Sequence, residues 1–439
     1  MPTASQGIES QASNGSGLDT FTSVTCPFCG LHCDDLEVRN SSGADAGHLT
    51  IARNGCERAA RGFERRPPPS SPQIGGRDTD LATALATAAR LIGGARLPLY
   101  GGLGTDVEGV RAIMALADRS GGVVDHHLSA AIQRNMGVLQ TQGWIMSTLT
   151  ETRNRADLVI VVASDLMTLH PRFFERIVAP AEAMFGGVPS DRTVVLVGDC
   201  GHADAITRTG VKHVVEIPSA NDDIPVVLGV LRSMLKGTQL PARDDQRVPF
   251  NELADLALRC KRAEYGVFVW APQALAFRDG DLAVQIVTDI VRDINKTTRF
   301  AGLSLGGNDG AASAASVCSW QSGYPLRVSF ASGAPDYDPY RYDIRRMLEA
   351  GEGDLLVWTA SFDPEAAPPA TGLPLIALAT PGMRFSREPD VLIPVGTPGL
   401  DHSGRLVRCD SVVSLPLRQL RPSRLASVTE IANAIAASL

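Results

Sequence analysis

Past residue 78, apolar positions follow two alternating spacings. Leu81, Leu85 and Leu91 fall on one helical face that Gly93 and Gly94 bring to an end, the spacing of an amphipathic helix with a glycine stop. Short apolar, β-branched runs at residues 97–100, 123–124, 157–163, 193–197 and 213–217 predict strands buried on both faces, as in a parallel sheet covered by helices. Between the first two runs, Thr105 with Glu108 three residues later predicts a capping box that opens a helix running to about Asp118, before Gly121 and Gly122. The alternation returns in the second half, with a strand at 265–271, a helix at 281–295, and strands near 354–359, 375–379 and 390–394. The pattern predicts an α/β fold of two doubly wound, Rossmann-like units, and the lack of a short repeat excludes solenoids and propellers.

The region before residue 73 departs from this pattern. Residues 1–20 are polar and small, without the basic and apolar regions of a secretory signal, and are expected to be a flexible leader. Residues 21–72 form a Cys-rich subdomain closed by Arg65-Arg66-Pro67-Pro68-Pro69-Ser70-Ser71-Pro72, which can continue neither a helix nor a central strand. The remainder divides into α/β units at 73–245 and 246–439, in keeping with a length of 439 residues, beyond one average domain.

Charge and hydropathy exclude two classes of partner. With 41 basic and 48 acidic residues dispersed along the chain and a net charge of -7, there is no sustained basic stretch of the kind that neutralises nucleic-acid phosphates. The apolar runs, such as those at 158–163 and 194–197, fall well short of the roughly 20 residues that span a bilayer, so no membrane partner and a cytoplasmic location are expected.

Four of the eight cysteines lie between positions 26 and 56. Cys26, Cys29, Cys33 and Cys56 give the spacing C-x2-C-x3-C-x22-C. Three thiolates on one loop and a fourth returned to it can surround a cubane iron–sulfur cluster or a zinc ion, since both take four sulfurs in a tetrahedron. The spacing does not choose between these, or against an unoccupied remnant in which the cysteines act as small buried hydrophobes. His32 and His48 lie nearby and read as structural.

The run Cys26-Pro27-Phe28-Cys29-Gly30-Leu31-His32-Cys33-Asp34-Asp35 resembles the N-terminal motif of the B subunit of formylmethanofuran dehydrogenase, a member of the molybdopterin-oxidoreductase superfamily. Further segments resemble the family in the same order: residues 154–161, His170-Pro171-Arg172, Gly307-Asn308-Asp309-Gly310, Trp320 to Pro325, residues 390–394, and Gly399-Leu400-Asp401 with Gly404, so that the likeness covers residues 22–420. The resemblance implies a molybdopterin-oxidoreductase-like fold and a [4Fe-4S] cluster on Cys26, Cys29, Cys33 and Cys56. It also implies tungsten or molybdenum held between pterin dithiolenes and a protein cysteine or selenocysteine, shortly after a strand that ends in aspartate.

That last ligand is missing. The matching stretch is Val123-Val124-Asp125-His126-His127-Leu128-Ser129-Ala130-Ala131-Ile132, and no cysteine occurs between Cys56 and Cys200. Ser129 could supply an oxygen ligand, but Ala130, Ala131 and Ile132 suggest an apolar wall that lets a vacated pocket collapse. His126 and His127 carry imidazole, a group that serves acid-base chemistry near neutrality, but as neighbours after a strand they should point apart and serve a loop or a contact with another chain. Cys200 follows a strand where the family recognises the nucleotide end of its pterin, yet the basic residue expected beside Asp199 is absent. Tungsten or molybdenum pterin is therefore expected to be absent and no residue to be catalytic, with Asp125, Ser129, His170, Arg172 and Asn308 as remnants of the old pocket.

Without the metal ligand, the chain is similar to the B subunits of the formyltransferase/hydrolase complexes of methylotrophic bacteria. Such a complex moves formyl from tetrahydromethanopterin to a methanofuran-like carrier and releases formate during formaldehyde oxidation. The partners implied are the A, C and D subunits, of which A is a metallohydrolase and D a formyltransferase, with this chain as their scaffold. Two alternatives remain: a tungsten- or molybdenum-pterin component of a formylmethanofuran dehydrogenase, and an electron-transfer component carrying only the cluster.

Overall fold

A computed structural model describes residues 18–43, 46–185, 187–238 and 247–439. The expected leader at 1–20 lies outside the described residues up to position 17. The chain forms a mixed α/β structure built on a five-stranded sheet, a nine-stranded sheet, and antiparallel sheets of three and two strands.

The five-stranded sheet is wholly parallel, in the order His213–Ile217, Thr193–Val197, Leu158–Val162, Tyr265–Trp270, Arg299–Ser304. Because successive side chains leave a strand on opposite faces, its residues sort into two cores. Leu158, Ile160, Val162, Phe268 and Trp270 pack with the helices Ile224–Leu235, Phe250–Arg262 and Gly280–Ile294. Val159, Val161, Val267 and Val269 pack instead with Val24, Leu36, Val38 and Phe63 of the N-terminal segment. That segment, the sheet Leu18–Val24, Leu36–Ser41, Leu49–Arg53 and the helix Glu57–Phe63, therefore shares its core with the five-stranded sheet.

In the nine-stranded sheet, Val123–Val124, Pro98–Gly104, Leu355–Ala360, Leu375–Ala379 and Val391–Pro394 run parallel, with short antiparallel strands added at both edges. Tyr100, Val357, Ile376 and Ile393 face the helices Leu81–Gly94, Val107–Ser120, Ala311–Ser322 and Val428–Ala437. Leu99, Leu356 and Trp358 face Tyr342, Ile344 and Met347.

The expected elements recur closely, and 193–197, 213–217 and 375–379 are strands at those bounds. Two expectations differ. The helix over 107–120 is capped by Asp106, whose carboxylate accepts the Gly109 N–H at 3.1 Å, and not by Thr105; the carboxylate reaches the free N–H groups of the first turn. The expected boundary at 245/246 falls between strands of one sheet, since Tyr265–Trp270 pairs with Leu158–Val162. The strands of the five-stranded sheet are inserted in the sequence between Val123–Val124 and Leu355–Ala360, which belong to the other sheet. Among the described residues no helix is long and apolar enough to cross a membrane.

Candidate functional site

Most of the residues singled out in the sequence lie in or beside two chambers on either side of the turn after the strand Arg299–Ser304. In that turn Gly307, Asp309 and Gly310 take φ of +80, +51 and +75°. A side chain at Gly310 would bring Cβ within 2.5 Å of the Thr105 carbonyl oxygen, so this close approach requires glycine.

The first chamber holds the cysteines. Cys26, Cys29, Cys33 and Cys56 line one cavity with Phe28 and Leu36. Their loop is closed by Cys26 N–H donating to the Cys33 carbonyl at 2.8 Å and His32 N–H to that of Cys29 at 3.0 Å. Asn308 accepts the Gly30 N–H at 3.0 Å. Arg172 donates to both oxygens of Asp35, at 2.7 and 2.9 Å, and to the Asn54 carbonyl at 2.6 Å. It thereby ties the cysteine loop to the returning hairpin. His170 Nε2 lies 3.1 Å from the Leu305 carbonyl, so it is the donor there, and burial holds the ring neutral with a pKa lowered to about 4. Of the expected remnants, then, Arg172 and Asn308 brace the cysteine loop, while His170 holds the turn after Arg299–Ser304.

Burial raises the thiol pKa of Cys29 to about 12 and pushes Cys26 and Cys33 upward as well. At Cys33 the guanidiniums of Arg176 and Arg172 oppose that rise, as does Arg58 at Cys29. Cationic groups beside buried thiols favour thiolate, the form that ligates metal. Four sulfur donors around one cavity are nonetheless, in kind, the set that an iron–sulfur cluster takes. Among the described residues, no three His, Cys, Asp or Glu side chains converge as the ligands of a single metal ion would. Cys409, absent from the sequence motif, packs against the same loop and donates its N–H to the Gly30 carbonyl at 3.0 Å.

The second chamber is a cavity of about 30 Å³ at the end of the strand Val123–Val124, lined by Asp125, His126, His127, Ser129, Arg327 and Trp358 among others, room for about two waters. Arg327 occupies its polar side. The guanidinium donates to Ser129 Oγ through Nε at 3.2 Å and Nη2 at 3.1 Å, and to the Pro339 carbonyl through Nη1. It pairs with Asp343 at 2.6 Å and lies 3.7 Å from Asp125. Burial pushes the Asp125 carboxyl up to about 7 against the pull of Arg327.

This differs from an apolar collapse. Ala130 lines the cavity yet is exposed, and Ala131 and Ile132 are half-buried on the helix Ser129–Gln142, so the three do not close it into an apolar wall. The filling group comes from Arg327, 198 residues from Ser129. The two histidines also differ from expectation. Their rings stack at 4.3 Å in one site, because Ser129 N–H closes a turn onto the His126 carbonyl and the alternation of an extended strand no longer applies. His127 reaches Asp309 at 3.4 Å. Cys200 is buried, with its thiol directed at the Val161 and Val197 carbonyls and its pKa raised to about 12 by burial.

The sequence offered no signal for Arg327, Asp343 or Cys409, which lie in no recognisable spacing with the residues they touch.

No protein-family model matches the chain. It is 27% identical over 410 residues to the B subunit of tungsten-containing formylmethanofuran dehydrogenase 2 of Methanococcus maripaludis, covering 90% of this chain and 93% of that one. It is 28% identical over 335 residues to the B subunit of the formyltransferase/hydrolase complex Fhc of Methylorubrum extorquens, covering 76% of this chain and 87% of that one. Its fold matches a chain of the crystal structure of the FhcABCD complex from Methylorubrum extorquens in complex with methylofuran, with a TM-score of 0.70, 26% identity, and 83% and 97% of the two chains covered. The chain is thus a homologue of the B subunits of formylmethanofuran dehydrogenase and of the Fhc complex.

Proposed function

We propose that the chain is the B subunit of a formyltransferase/hydrolase complex, which moves formyl from tetrahydromethanopterin to a methanofuran-like carrier and releases formate. The similarity to the Fhc B subunit and to a chain of the FhcABCD complex supports the role within a complex. Its partners in this reading are the A, C and D subunits, with A the metallohydrolase and D the formyltransferase. The chain itself acts as scaffold, and its location is the cytoplasm.

The observation that carries the scaffold reading is the Arg327 knot. Ser129, the hydroxyl in the stretch that resembles the family's metal-ligand segment, already accepts two bonds from a guanidinium that is itself bound to Asp343. A positive charge fixed beside that oxygen opposes a metal cation there. Tungsten or molybdenum held by pterins does not fit these residues.

The four cysteines do fit a [4Fe-4S] cluster in donor chemistry, with Cys26, Cys29, Cys33 and Cys56 as its holders. Such a cluster supplies one-electron transfer when bound. Around it Arg172 and Asn308 position the loop, and Phe28, Leu31 and Leu36 exclude water.

Metal, acid-labile sulfide and pterin analysis of the anaerobically purified complex tests the reading. The expected result is neither tungsten nor molybdenum nor pterin, with formyl transfer and hydrolysis undiminished in a Ser129→Ala variant. Tungsten or molybdenum with pterin at one site per chain would establish the dehydrogenase instead. A reducible cluster without pterin would favour electron transfer.

A further inference from the structure

Asn308 and Asp309, consecutive in the turn after Arg299–Ser304, reach toward different chambers. Asn308 holds Gly30 of the cysteine loop, while Asp309 is held by both histidines of the second chamber. Asp309 keeps a φ of +51°, a conformation that a residue other than glycine retains only where its surroundings impose it.

The hydrogen bonds fix the protons on both rings. His126 Nδ1 accepts the Leu128 N–H at 3.0 Å, so its single hydrogen is on Nε2 and goes to the Asp309 carbonyl, 3.1 Å away. Burial, and after it the neighbouring His127, push the His126 pKa well below its ordinary value, so this ring is neutral. His127 Nδ1 lies 3.0 Å from the Gly102 carbonyl, a group that can only accept, and so it carries a hydrogen as well. Its Nε2 lies 3.4 Å from Asp309 Oδ2. In a neutral His127 that nitrogen would turn a lone pair toward a carboxylate, whereas imidazolium presents a donor at each nitrogen.

The other charged groups around His127 leave this pairing in place. Asp125 and Asp343 both face Arg327, at 3.7 and 2.6 Å. Arg345, from the helix Ile344–Glu349, adds positive charge, and the strands Pro98–Gly104 and Leu355–Ala360 bring no charged side chain to the chamber. Among the described residues Asp309 forms no other ion pair, and the side chains of His127 and Asp309 are only 11% and 17% exposed, so solvent ions screen the pair little.

We propose that His127 is an imidazolium whose pair with Asp309 latches the turn, so that the charge on a residue of the second chamber governs how firmly the cysteine loop is held. Both rings commit each nitrogen to these contacts, which leaves neither free as a catalytic group. The latch does not rest on the scaffold reading, since it acts whether or not the four cysteines hold a cluster.

Nitrogen-15 NMR of the histidine-labelled full chain near neutral pH tests the charge, with the His127 signals identified by their loss in His127→Gln. Two protonated nitrogens on that ring are expected, and a single one would overturn the proposal. Hydrogen exchange tests the link. His127→Gln keeps a donor for Gly102 without the charge, and Asp309→Asn keeps the turn, because asparagine tolerates positive φ. Each should quicken exchange in residues 26–33 by about tenfold, the worth of one hydrogen bond to a charged group, and the double variant should add little to either alone. Unchanged exchange there in a folded single variant, additive effects, or quickening spread evenly over the nine-stranded sheet would overturn it.

Discussion

At the scale of single residues, Arg327 has more depending on it than any residue the sequence pattern marks. Its side chain is 8% exposed and faces Asp125 and Asp343, whose side chains are 5% and 23% exposed. Removing one partner from a buried charge group leaves the others without compensation, which typically costs about 3–5 kcal/mol. Arg327→Met should lower the stability read from urea unfolding by that much, whereas a loss of under about 1 kcal/mol, the range of a surface pair, would mean that the knot is not rigid. Asp125 adds a pH dependence. Its folded pKa is raised to about 7 from an ordinary value of 3.8. The uncharged carboxyl is thus the form the fold favours, and its contribution is full below the unfolded pKa and lost as pH rises through about 7. Asp125→Asn, which cannot ionise, should therefore gain in melting temperature relative to the parent protein between pH 5 and pH 8. A constant difference across that range would show that burial does not govern this group.

Among elements, the decisive contact is that of the cysteine loop with the turn after Arg299–Ser304. Gly30 sits so close to that turn that a Cβ there would stand 1.8 Å from the Gly306 carbonyl oxygen and 3.1 Å from Cys409 Cβ. The nearest atom is backbone, so no rotamer change can relieve the clash. Gly30→Ala should cost on the order of 1–3 kcal/mol, the usual penalty of overpacking. Hydrogen exchange should quicken in residues 18–63 while the nine-stranded sheet stays protected. Uniform quickening through the whole chain would instead place the damage in the common core. This same contact explains why the spacing of Cys26, Cys29, Cys33 and Cys56 was readable while Cys409 was not. The four follow a local rule of loop and return, whereas Cys409 reaches the loop only because two distant segments meet.

For the whole molecule, the interleaving of the two sheets governs how the chain can be divided. Leu158–Val162 has Thr193–Val197 on one side and Tyr265–Trp270 on the other. Cutting between residues 245 and 246 would strip one partner from a central parallel strand and leave an unpaired hydrophobic edge. Fragments 1–245 and 246–439 should each be insoluble or unfolded when expressed alone, judged by far-UV dichroism and sedimentation. Two separately folded fragments would show that each half carries a core of its own. Local periodicity along the sequence determined the elements, since Leu81 to Gly94 and the β-branched strands need only their own neighbours to declare helix or strand. Cysteine spacing likewise determined that four thiols share one cavity. The tertiary structure alone decided that Asp125 and Ser129 share one chamber while Arg172 lines the other, with Asn308 bonded to its loop, and that Arg327 fills the first. Those outcomes rest on contacts between residues more than a hundred positions apart, such as Arg172 with Asp35 and Arg327 with Ser129, and no local period of hydrophobic or polar residues encodes which distant segments will meet.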